Sequence, residues 1–136
     1  MRWTIGAVLA GFLGLVMGAN GLVMLLAGAW WYGAVPGVPT TGPFNPHFVK
    51  DIGAAYLVVG ASLGAFAWRP AAAFSALVAS TGFLTLHAAI HVGDALASRT
   101  CGQDLIRDLP GIFIPALIGL GLVAAFLNPA KEPRHA

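Results

Sequence analysis

Four apolar runs, at residues 4–30, 52–68, 71–89 and 110–127, take up most of this chain. Each approaches or exceeds the roughly 17–25 residues that an α-helix needs to cross the hydrocarbon core of a bilayer. The charged residues are too few for any other reading. They make up 9% of the chain, against 58% apolar residues and a mean hydropathy of +0.82. A soluble domain carries roughly 25% charged residues, and seven basic and five acidic side chains do not cover a water-facing surface. The fold class is therefore all-α: a polytopic membrane protein built as a four-transmembrane-helix bundle, one domain over residues 1–136. Helices are expected at 4–30, 46–68, 71–92 and 109–127. Extramembrane loops are expected at 31–45 and 93–108, with a tail at 128–136.

The lipid bilayer is the partner that this composition demands. A net charge of +2 with no basic stripe gives no means of neutralising phosphates, so nucleic acid is not a partner. A single cysteine, Cys101, forms no internal disulfide and is read as a tolerated thiol in a polar loop. Arg2 followed by an apolar run has the look of a signal peptide. The run extends far beyond the 7–15 residues of a signal core, so a retained helix is expected.

Local signals place the helix ends. Trp30, Trp31 and Tyr32 are amphipathic rings suited to the headgroup level. The following stretch holds Pro36, Gly37, Pro39, Gly42 and Pro43 and is read as non-helical. Asn45 is an N-cap and Pro46 fits the first helical turn. Arg69-Pro70 is read as the whole turn of a tight hairpin. Asp108 and Pro110 are read as opening the last helix, with the carboxylate at the positive end of the helix dipole. Pro115 is expected to bend that helix by freeing the carbonyl of Gly111.

Gly11, Gly14, Gly18 and Gly21 share one face of the first helix, and Gly53, Gly60 and Gly64 share one face of the second. In lipid such stripes let backbones approach closely, here within the bundle, with a homodimer or a membrane protein partner as the alternative. Arg2, Arg69, Lys131 and Arg134 fall on one side of the membrane and Lys50, Arg99 and Arg107 on the other. The positive-inside rule then puts both termini in the cytoplasm of a bacterial cell membrane. Lys50, Arg99 and Arg107 are read as anchors whose heads reach the interface.

Polar side chains gather at one depth. At about 1.5 Å per residue, Asp51 lies roughly 27 Å from the Arg69-Pro70 turn, His87 about 26 Å and His91 about 32 Å. Asn20 and Asp108 reach comparable heights on the outer two helices, and His47 and Asp94 lie just beyond. Ionisable groups at membrane depth are costly and mark a site. His87, His91 and Asp94 at i, i+4 and i+7 share one face, as do His47 and Asp51 at i, i+4. The hairpin is expected to set Asp51 beside His87 and His47 beside His91. If so, Asp51→Ala destabilises the bundle by a few kcal/mol, as it strands a buried imidazolium.

Three readings of this layer stay open. It is a structural clasp in which His and Asp satisfy one another. Alternatively His87, His91, Asp94, His47 and Asp51 supply ligands to a transition metal such as zinc, iron or copper. Otherwise it holds haem, a quinone or a lipid headgroup, or relays protons. Tyr56 lies just inside the layer and is read as a packing aromatic. No nucleotide-binding glycine fingerprint, nucleophile elbow or Cys-x-x-Cys pair is present.

The run His47-Phe48-Val49-Lys50-Asp51-Ile52-Gly53, followed by Tyr56-Leu57, resembles the "His-Phe-x-Arg/Lys-Asp-x-Gly…Tyr-Leu" opening of small bacterial four-helix membrane proteins. These are broadly DoxX-like in architecture, and they often carry a His-x-x-x-His pair like His87 and His91 at the end of the third helix. The likeness spans residues 44–94 and loosely Asp108-Leu109-Pro110. It implies the four-helix fold and singles out His47, Asp51, Gly53, His87 and His91, without a substrate. The function expected is that of a non-enzymatic membrane protein whose polar pocket stabilises the bundle or takes a ligand or partner. The alternative is a metal- or cofactor-binding redox component. An ion transporter is less favoured, because no charge marks the membrane midplane.

Overall fold

The structure, a computed structural model, describes residues 2–97 and 102–128. Arg99, Cys101, Lys131 and Arg134 lie outside the described residues, as does the side chain of Arg2. Six α-helices follow in order: α1 (Arg2–Leu26), α2 (Gly28–Ala34), α3 (Pro46–Trp68), α4 (Phe74–Leu96), α5 (Gly102–Asp108) and α6 (Ile114–Leu127). A 3₁₀ turn, Val38–Thr41, lies between α2 and α3, and a π-helical turn, Leu109–Phe113, joins α5 to α6. No strand occurs among the described residues. Four spans, Ile5–Leu26, Pro46–Trp68, Phe74–Leu96 and Asp104–Leu127, are long and apolar enough to cross a membrane. The chain is an all-α four-helix membrane bundle.

Helix α3 starts and stops where its sequence signals lie. The Asn45 side chain accepts from the backbone N–H groups of His47 and Phe48, each at 3.1 Å, and Pro46 takes the first turn. Other boundaries differ from expectation. The first helix breaks at Ala27, whose backbone leaves the helical region (φ −135°, ψ 41°). Trp31 Nε1 then donates to Asn20 Oδ1 at 2.8 Å. Eleven residues of straight helix would set these two roughly 16 Å apart, farther than both side chains and a hydrogen bond can span. The bend is what brings them together.

The hairpin turn runs from Arg69 to Ala73, with the N–H groups of Ala72 and Ala73 both bonded to the Arg69 carbonyl. Consequently α4 starts three residues later than expected and continues to Leu96, so Gly93 and Asp94 are helical. The expected loop 31–45 is also partly ordered. Residues 31–34 belong to α2, and Pro39 sits early in the 3₁₀ turn, where its missing N–H costs nothing.

The last helix begins earlier than expected. Asp104, not Asp108, occupies the first turn of α5, and Asp108 makes no capping bond. The chain passes Pro110 and Pro115 without stopping because the helix widens between them. The Ile114 N–H bonds to the Leu109 carbonyl, five residues back. A π turn of this kind is one way for a helix to absorb a proline.

Packing between α1 and α3 is set by glycine. A Cβ on Gly14 would stand 2.8 Å from the Gly60 carbonyl oxygen, and one on Gly60 would stand 2.7 Å from that of Gly14. Gly21 and Gly53 meet in the same way one layer up. These four glycines are occupied by contact within the chain. Helix α4 packs between α3 and α6, where Thr81 lies against Gly119. The core comprises Leu13, Met17 and Met24 of α1, Tyr56, Leu63 and Phe66 of α3, Leu77 and Leu84 of α4, and Leu122 of α6. The α1 face turned away from it is apolar and mostly large (Ile5, Val8, Phe12, Leu15, Leu22 and Leu26), as suits lipid contact.

Candidate functional site

The ionisable cluster is centred on Asp108. Its side chain is 9% exposed, and both oxygens are engaged. Oδ2 lies 2.8 Å from Nδ1 of His91, which is 29% exposed, and Oδ1 accepts from Arg107 Nε at 2.9 Å. Arg107 Nη1 also donates to Asp104 Oδ1 at 2.7 Å, a pair at i, i+3 on α5. A carboxylate oxygen only accepts, so facing the Asp108 carboxylate the His91 ring donates from Nδ1. This contact ties α4 to α5 between residues 17 positions apart in sequence.

The loop after α2 closes over the cluster. Gly37 has φ +88°, a left-handed conformation that glycine adopts without strain, and a Cβ there would run into the Arg107 guanidinium. The loop is tied by Thr40 Oγ1 donating to the Gly37 carbonyl at 2.6 Å and by Tyr32 Oη donating to the Gly42 carbonyl. Gly37→Ala therefore combines an unfavourable backbone region, worth about 1–3 kcal/mol, with a collision at Arg107. Its melting temperature in detergent should fall clearly below that of Gly33→Ala, since a Cβ at Gly33 meets nothing. Equal melting of the two would show that the loop does not bear on Arg107.

His87 has a different environment. Its ring stacks on Phe83 (centroids 6.2 Å, interplanar angle 2°) and meets Tyr56 edge-on at 6.2 Å. Tyr56 also meets Phe83 edge-on at 5.5 Å, so the three rings form one aromatic layer between α3 and α4. The His91 ring is 5.0 Å from that of His87, tilted by 72°. Asp108, His91, His87 and Tyr56 thus form a continuous line from α5 through α4 to α3.

The expected pairings of Asp51 with His87 and of His47 with His91 do not form. His47 and Asp51 pair with each other at 3.4 Å, with side chains 89% and 61% exposed. The reason lies in the phase of α3. Its buried face carries Val49, Gly53, Tyr56, Gly60 and Leu63, and at 100° per residue His47 and Asp51 fall on the opposite side. Asn20 is engaged with Trp31 and contacts Met24 Sδ at 3.6 Å, apart from the histidines. Asp94 lies half-buried on the last turn of α4.

The five expected metal ligands, His87, His91, Asp94, His47 and Asp51, are therefore not assembled. Among the described residues no group of three His, Cys, Asp or Glu side chains is placed to hold an ion. A hollow of about 280 Å³ at this end of the bundle is walled by Val92, Leu105, Ile106, Leu109 and Phe113, with no histidine in its lining.

Arg107 and Asp104 are the members of the cluster that sequence reasoning missed. Arg107 was expected to be a snorkelling anchor. The acid–x–x–Arg–acid spacing over 104–108 is the signal for a basic side chain held between two carboxylates. Comparison with family models, with curated proteins and with solved structures finds no match to this chain.

Proposed function

We propose that this chain is a non-enzymatic component of a bacterial cell membrane, in which the ionisable cluster is a clasp that keeps one end of the bundle closed. The observation that carries this reading is the double engagement of Asp108, which is nearly buried and bonded by His91 on one side and Arg107 on the other. Each carboxylate oxygen is already bonded within the chain, and a buried polar group satisfied in this way stabilises and specifies packing. The likeness of residues 44–94 to DoxX-like proteins fits a membrane bundle of this kind. The balance of Arg2, Arg69, Lys131 and Arg134 against Lys50, Arg99 and Arg107 supports a topology with both termini in the cytoplasm.

Elemental analysis and optical spectra of the detergent-purified chain test this against a redox component. The clasp reading expects no stoichiometric metal and no haem-type band, together with a lowered melting temperature in His91→Ala. Stoichiometric metal or a visible band that disappears in His87→Ala and His91→Ala would overturn it.

A further inference from the structure

The two ends of the bundle differ chemically. The four described carboxylates, Asp51, Asp94, Asp104 and Asp108, all stand at the end where α3 begins and α4 finishes. At the opposite end the described side chains carry one charge, Arg69, in the turn between α3 and α4. Its guanidinium lies 5.9 Å from the ring centroid of Trp68, which is itself 82% exposed. Beneath this pair is a cavity of about 250 Å³ lined by Ala65, Trp68, Arg69, Ala72 and Ala73. Three of the five lining residues are alanines, and their short side chains leave the hollow open.

The contents of such a hollow follow from its position. Trp68 is the last residue of a span and belongs at the lipid–headgroup boundary, where tryptophan rings settle. An occupant is then anionic at its upper end, against a cation that no described carboxylate neutralises, and apolar at its lower end, against alanine methyls. We propose that the hairpin end is a seat for an anionic phospholipid. Its phosphate bonds to the Arg69 guanidinium and the start of one acyl chain lies in the hollow along Ala65 and Ala72. Arginine suits this task because its planar fork matches two phosphate oxygens at once. The Trp68 face attracts the cation and holds it over the opening. The volume is below the roughly 300 Å³ at which drug-sized pockets begin, so it takes part of a lipid and leaves the rest in the bilayer.

The test uses the full chain, stripped of lipid in detergent and offered equal amounts of phosphatidylglycerol and phosphatidylcholine, with bound lipid counted by native mass spectrometry. One basic side chain at a membrane surface gives about fivefold preference for the anionic lipid. Arg69→Gln should abolish that preference, and Arg69→Lys should keep part of it. Ala72→Leu fills the hollow and should lower retention of both lipids. Equal retention of the two lipids by the unmodified chain would overturn the proposal, as would a preference that survives Arg69→Gln. Displacement of the lipid by inorganic phosphate alone would also overturn it, by reassigning Arg69 to a free anion. Full retention in Ala72→Leu would remove the cavity from the site and overturn it equally.

Discussion

Asp108→Ala should destabilise the bundle by about 1–3 kcal/mol, the cost of leaving partly buried donors without their acceptor. The substitution strips an acceptor from His91 Nδ1 and another from Arg107 Nε, and Arg107 is left with Asp104 alone. Asp108→Asn keeps one carbonyl oxygen and should fall between the two. Asp51→Ala is the informative control. It sits at a similar height but faces outward, paired with the exposed His47, and surface substitutions usually stay within about 0.5 kcal/mol. The sequence alone suggests a loss of a few kcal/mol at Asp51 if a buried imidazolium is stranded there; the structure transfers that sensitivity to Asp108. Thermal melting of the three variants in one detergent decides the matter. A similar shift in Asp51→Ala and Asp108→Ala would refute the clasp.

The second large effect is expected at the α1–α3 contact. Gly60→Leu places a side chain against the Gly14 carbonyl oxygen and the Gly18 backbone, each 2.7 Å from the new Cβ alone. Backbone cannot move aside as a flexible side chain can, so the helices must separate. Overpacking in cores costs about 1–3 kcal/mol and occasionally more, and this site belongs at the upper end. Gly64→Leu, one turn along the same helix, adds a Cβ that meets nothing within 4 Å and should leave melting nearly unchanged. If both variants melt alike, the close approach of α1 and α3 is not what holds the pair.

Much of this architecture is legible in the residues, for identifiable reasons. The bounds of α3 follow from Asn45-Pro46 at one end and Trp68-Arg69-Pro70 at the other, because capping and proline chemistry act locally. The break at Ala27 has no such signal, since alanine is the strongest helix former, and it emerges only with the Asn20–Trp31 bond. The start of α5 was misplaced because two acids, Asp104 and Asp108, both suit a helix N-terminus, and the earlier one takes the position.

Facing proved harder to read than depth. A soluble helix shows its inner side by hydrophobicity, but a helix in lipid is apolar all round. The inner face of α3 is marked instead by glycines and one tyrosine, at Gly53, Tyr56 and Gly60. Used as the guide, that face puts His47 and Asp51 outside. On α4 the equivalent marks are Thr81, Leu84 and Ala88, which leave His91 free to turn toward α5.

The glycine contacts also work as a vernier. Gly14 meets Gly60 while Gly21 meets Gly53, so the antiparallel rods are matched at two points seven residues apart. Sliding by one turn, about four residues, brings Gly14 to Gly64 but drives Gly21 onto Leu57. Sliding the other way sets Gly14 on Tyr56 and Gly21 on Val49. The first displacement also sets Gly18 on Gly60 but closes Leu57 on Gly21, and the second sets a large side chain on each of the two glycines. Each displacement therefore forces at least one large side chain into a glycine contact, which opposes piston movement along this seam.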